Sequence, residues 1–164
     1  MKILIAGIGN IFFGDDAFGV EVANCLSKRT LPADARVVDF GIRGFDLAYA
    51  LLDGYDVTIL VDAAPRGGPP GTLYTMEIDA SAPDSLDADV ATHGMNPVRV
   101  LQLAQAMGGV ASRILLVGCE PETLGSEEEG LMGLSEAVAA AVEPAADIVE
   151  ALVGRILEES RVAA

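Results

Sequence analysis

The chain has 164 residues, 51% of them hydrophobic, and carries 25 Asp and Glu against 10 Lys and Arg, for a formal net charge of −15. That length and apolar fraction predict one substantial core and a single domain over residues 1–164, and the charge excludes nucleic acid and anionic membranes as partners. No apolar run approaches the roughly 20 residues of a membrane span, and Met1-Lys2 leads into an apolar strand without a signal-peptide pattern, so a soluble cytoplasmic protein is expected.

The first stretch, ILIAGIGNIFFGDDAFG over residues 3–19, organises the rest. Ile3-Leu4-Ile5-Ala6 is a short apolar run closed by glycine, as in a central strand buried on both faces. After the loop, Ala17, Val20, Val22, Ala23 and Leu26 recur at helical spacing. Asp15 and Asp16 therefore fall where the strand hands over to the helix. One acid there is explained as an N-cap or first-turn carboxylate; two are not. Gly7-Ile8-Gly9 lacks the third glycine of a dinucleotide loop, and the paired acids would repel a pyrophosphate.

Residues 35–40 read as a second strand broken by Gly41. A helix over residues 44–52 follows, with Phe45, Leu47, Ala48, Leu51 and Leu52 on one side. Residues 57–61 form a third strand running into Asp62, and a Gly-Pro turn then leads to a strand over residues 72–78. With no helix between them, that last strand is expected to be antiparallel and at an edge. Residues 80–92 are polar and small and read as a long binding loop before His93, the single histidine. Asn96-Pro97 starts a helix to about Met107, and residues 114–118 form the next strand. Glu127-Glu128-Glu129 reads as solvated loop surface. Ser135 is expected to cap a short helix ending near Glu143, and Pro144 to open a longer one with Ile148, Val149, Leu152, Ile156 and Leu157 inward. Cys25 and Cys119 read as buried small hydrophobes. The fold class is thus α/β: a three-layer, doubly wound sheet of about five mostly parallel strands with one antiparallel edge strand and helices on both faces.

Asp16, Asp62 and His93 converge in this scheme at the carboxyl edge of the sheet, where open α/β folds bind ligands. Two carboxylates and an imidazole make an open N,O site suited to Zn²⁺, Ni²⁺ or a similar divalent ion. An aspartic dyad of Asp16 and Asp62 sharing a proton is the alternative that the residues leave open.

The chain also resembles the hydrogenase maturation endopeptidases. The resemblance is carried by Gly7-Ile8-Gly9-Asn10 with Asp15-Asp16 and Gly19, by Asp39-Phe40-Gly41, by Val61-Asp62-Ala63, and by His93 before a helix. Gly118-Cys119-Glu120-Pro121 with Leu134-Ser135 is a weaker match. The resemblance implies a peptidase, aspartic or metal-dependent, that removes the C-terminal extension of a nickel-iron hydrogenase large-subunit precursor after nickel insertion. It implies Asp16, Asp62 and His93 as metal-contacting catalytic residues and associates Asp39 with substrate or catalysis, although Phe40 replaces a common glycine. Glu120, where glutamine is frequent, receives no role. The expected metal is nickel carried by the substrate, with zinc or cadmium able to occupy the site in vitro. Alternative readings are a nickel-binding chaperone that does not cut, and a flavodoxin-like small-ligand module.

Overall fold

Ile3–Ile8 (β1) and Val57–Ala63 (β3) are buried at every residue, and they lie side by side at the centre of the sheet. The computed structural model describes residues 1–79, 95–109, 113–125 and 130–164. Among these, the remaining elements are α1 (Phe18–Leu26), β2 (Ala35–Gly41), α2 (Gly44–Ala50), β4 (Leu73–Ile78), α3 (Pro97–Ala106), β5 (Arg113–Cys119) and α4 (Glu136–Ala163). The strands form a five-membered sheet in the order β2-β1-β3-β5-β4, parallel throughout except for β4, which runs antiparallel to β5 at the edge.

Strand alternation sends successive side chains to opposite layers. Ile3, Ile5, Ile59 and Val61 meet α1 and α4 through Phe18, Val22, Leu26, Val149 and Val153. Leu4, Ala6, Ile8, Leu60 and Leu116 meet α2 and α3 through Leu47, Leu51, Val100 and Leu101. Both faces are therefore covered, which is the condition a parallel sheet requires. Asn96 caps α3 as its sequence implied, its side chain accepting from the Val98 N–H at 2.9 Å with Pro97 in the first turn.

Four expectations change. The expected break at Pro144 is absent, because α4 is one helix. A proline inside a helix costs about 3 kcal/mol, but Val138 and Ala141 before it and Ala145, Ala146 and Val149 after it form one continuous buried face. Helix α2 stops at Ala50 and tightens into a 3-10 turn over Leu51–Asp53 that ends at left-handed Gly54. Its inward face is Leu47, Ala48 and Leu51, so Phe45, 72% exposed, and Leu52, 37% exposed, do not share it. Cys25 is only partly buried and donates to Glu143 at 3.3 Å, whereas Cys119 is fully buried. Residues 80–92 and Glu127 to Glu129 lie outside the described residues. Among the described residues, no helix is long and apolar enough to cross a membrane.

Candidate active site

After β1 the chain turns through Gly9, whose N–H donates to the Gly41 carbonyl at 3.0 Å and ties this loop to the end of β2. The Asn10 side chain accepts from the Phe12 N–H at 2.9 Å, an Asx turn, while the Asn10 N–H donates to Asp16 Oδ2 at 2.8 Å. Gly14–Ala17 then closes as a 3-10 turn and passes into α1. A Cβ on Gly19 would stand 2.1 Å from the Val61 carbonyl oxygen and 2.3 Å from that of Ile8. Only glycine lets the start of α1 lie directly on β1 and β3. That contact seats Asp16, one turn earlier in the chain, against the carboxyl end of β3.

Asp62 is the residue waiting there. It is completely buried, and among the described residues neither of its carboxylate oxygens has a hydrogen-bond partner. Burial pushes its carboxyl well above the usual range, and the negative charge of Asp16 pushes the same way. A buried unpartnered carboxylate costs about 1–3 kcal/mol or more, so its retention points to a task. A divalent cation fits such a pair: hard oxygen donors, buried and mutually repelling, with Asp62 unpartnered among the described residues.

The fold brings Asp16 and Asp62 together. His93, expected as the third ligand, lies outside the described residues. Asp39 stands exposed at the end of β2, paired in register with Gly7. The register then skips Phe40, which drops into the α2–α3 layer at 4% exposure. Arg43 holds the Asp39 and Phe40 carbonyls. Among the described residues no hydrogen bond or ion pair joins the Asp39 carboxylate to Asp16 or Asp62.

Two acids have roles that the sequence reading missed. Asp15 is neither cap nor ligand. Fully buried, it accepts from the backbone N–H groups of Glu122 (2.8 Å), Thr123 (3.0 Å) and Ser135 (2.7 Å) and from the Ser135 hydroxyl (2.9 Å). Ser135 also caps α4, accepting from the Val138 N–H. Asp15 thus fastens the 3-10 turn that carries Asp16 to the loop after β5. Glu120, 6% exposed, accepts from the N–H groups of Arg66 (2.7 Å) and Gly67 (3.2 Å), which fixes the turn after β3. The available signals were an acid doublet in an apolar stretch and a charged residue directly ending a buried strand.

Tyr74 walls the same region. It faces Gly118, which is also in register with Asp62, and a Cβ on Gly118 would fall 2.2 Å from the Tyr74 ring. Its hydroxyl donates to the Ala64 carbonyl at 2.8 Å, and the Arg66 guanidinium lies 4.9 Å from the ring centre. Burial pushes the phenol up to about 12, with the Arg66 charge opposing. Tyr74→Phe is expected to lose about 1 kcal/mol in urea melts at neutral pH. A phenol raised on folding contributes stability below its ordinary pKa near 10 that is lost as pH rises toward about 12. The variant should therefore lack part of the alkaline decline of the wild type, and identical decline in both would contradict the assignment.

A family model described as hydrogenase maturation protease (HycI) matches residues 20–152. The hydrogenase expression/formation protein HupD of Rhodobacter capsulatus is 35% identical over 125 residues; the match takes in 75% of this chain and 59% of that protein, so the chain spans about three-fifths of its length. A putative hydrogenase maturation protease of Methanocaldococcus jannaschii is 32% identical over 148 residues, covering 90% of this chain and 93% of that protein. Among solved structures, the hydrogenase maturating endopeptidase HybD from Escherichia coli superposes with a TM-score of 0.79 at 30% identity, covering 94% of this chain and 93% of that one.

Proposed function

Because the chain belongs to the hydrogenase maturation protease family, we propose that it is an endopeptidase that removes the C-terminal extension of a nickel-iron hydrogenase large-subunit precursor once nickel has been inserted. The observation that carries the reading is Asp62, buried beside Asp16 with both oxygens unpartnered among the described residues. In this reading Asp16, Asp62 and His93 meet the nickel that the precursor presents, so the metal reports that the substrate is ready.

A cation at this position would polarise the scissile carbonyl or the attacking water. The side chains supply the rest. Asp16 is held by the Asn10 N–H, so its carboxylate is oriented before substrate arrives. Burial and the Asp16 charge push the Asp62 carboxyl up, so holding a cation there would require it to give up its proton. The freed carboxylate can take a proton from water as the oxygen attacks and pass it to the departing amine. Carboxylate attraction to the metal strengthens as the docked precursor excludes water.

The test pairs enzyme and precursor crosswise. Chelator-treated enzyme is expected to shorten nickel-loaded precursor, read as a mass loss in the large subunit. Zinc-supplemented enzyme with nickel-free precursor is expected to leave it intact. The reverse pattern would make this an ordinary metalloprotease. Nickel transfer without any mass loss would make it a chaperone. His93→Ala should weaken divalent-ion binding about tenfold or more by calorimetry, and unchanged affinity would remove His93 from the site.

A further inference from the structure

Ile11, Phe12, Leu131 and Met132 are 41, 55, 41 and 70% exposed and lie on two segments joined by backbone hydrogen bonds. Gly14 donates to the Leu131 carbonyl at 2.6 Å and Leu131 donates to that of Phe12 at 2.8 Å. A folded protein gains nothing by displaying four large apolar side chains together unless something covers them. The shelf they form is continuous with a groove of about 610 Å³ between the starts of α1 and α4, floored by Leu134 and Val142.

Location and charge identify the occupant. Ile11 and Phe12 belong to the loop whose Asn10 N–H holds Asp16, so the shelf and the acidic pair are carried by one loop at the start of α1. The groove is edged by Glu21 and Glu143, and among the described residues no Lys or Arg lines it. Arg29, the nearby cation, is already shared among Glu143, Asp147 and Glu150, which leaves this flank net negative.

We infer that the shelf Ile11–Phe12–Leu131–Met132 and its groove are the docking surface for a segment of the substrate precursor next to the scissile bond, one that carries a bulky apolar side chain beside a Lys or Arg. The inference rests on the processing activity proposed above. The apolar side chain fills the groove over Leu134, and the cation sits between Glu21 and Glu143, which favours encounter from solution as well as register. Specificity therefore resides on α1, α4 and their loops, apart from the acidic pair that does the chemistry.

Binding is measured separately from cutting, with immobilised nickel-loaded precursor from the same organism. Ile11→Ser combined with Met132→Ser is expected to raise the Kd at least about tenfold, the loss of two apolar contacts. Glu21→Lys is expected to raise it as well and to flatten its salt dependence. Val162→Ser, an equally polar change on an 84% exposed residue at the far end of α4, should change nothing. A Kd within twofold of wild type for the double variant overturns the inference. If that variant fails to fold by circular dichroism, Glu21→Lys decides alone, and unchanged low-salt binding overturns it. Conversion of a dimeric wild type to a monomer with normal precursor binding would show that a second copy covers the shelf, and would overturn it too. Wild-type protein that binds but never cuts, with binding lost in the double variant, would sink the processing activity and leave the docking surface standing.

Discussion

Asp62→Asn is expected to abolish processing while raising the melting temperature of the isolated protein. The loss should be about a thousandfold or more, the scale of removing a positioned acid–base group. The gain follows from the same burial. Asp62 has no hydrogen-bond partner among the described residues, and its carboxyl is pushed up first by desolvation and then by Asp16. An acid whose pKa rises on folding contributes stability that is complete below its ordinary value near 3.8 and is lost as pH rises through its folded value. Asn carries no charge at any of these pH values and so escapes that loss. The variant's advantage should therefore grow from acid toward neutral pH and reach about 1–3 kcal/mol, or roughly 2–12 °C in Tm. An advantage that is flat or falls with pH would mean that Asp62 is satisfied in solution. Asp16→Asn should also stop processing with the fold intact. Both results together would mean that the pair trades stability for function, as strained sites commonly do.

The second large effect is opposite in sign and concerns its neighbour. Asp15→Ala is expected to cost about 2–4 kcal/mol in urea unfolding, because it leaves four part-buried donors without the buried carboxylate they share. Those donors are the N–H groups of Glu122, Thr123 and Ser135 and the Ser135 hydroxyl. Asp15→Asn keeps one acceptor oxygen and should fall between the two. Since Asp15 secures the turn that carries Asp16, processing should decline along with stability. Near-wild-type melting of Asp15→Ala would show that the loop after β5 is held by other means. Neighbouring aspartates are thus expected to separate: removing the charge of Asp62 or Asp16 should stop the reaction and spare the fold, whereas removing Asp15 should damage the fold first.

The acidic pair was legible because its two halves are marked by local patterns. An apolar run ending in glycine locates the end of β1, and another ending in Asp62 locates the end of β3. In a parallel sheet with β1 and β3 adjacent, those ends must share one edge. Asp16 was also read as the member of the doublet that joins Asp62, but no local pattern showed what removes its neighbour Asp15 from that choice. That choice depends on partners 107 to 120 residues away, namely Glu122, Thr123 and Ser135, which capture Asp15 and leave Asp16 for the site. Phe45 shows the same limit from the apolar side: its helical spacing suits a core face, yet it lies exposed on the surface.

Sequence alone determined the alternation of elements, the parallel sheet with its antiparallel edge strand, the cap at Asn96, and the placement of Asp16 and Asp62 at strand ends. Each of these depends on interactions among near neighbours, such as side-chain period, turn chemistry and capping, or on general rules for covering a sheet. Tertiary structure alone decided that α4 runs unbroken through Pro144, that Asp15 is an anchor, that Glu120 clamps the turn after β3, and that Asp62 is left without a partner among the described residues. These outcomes turn on the partner a buried polar group finds, or on the length of apolar face a neighbouring layer will cover. Both are set only when distant segments close on one another, so no pattern within a single segment encodes them.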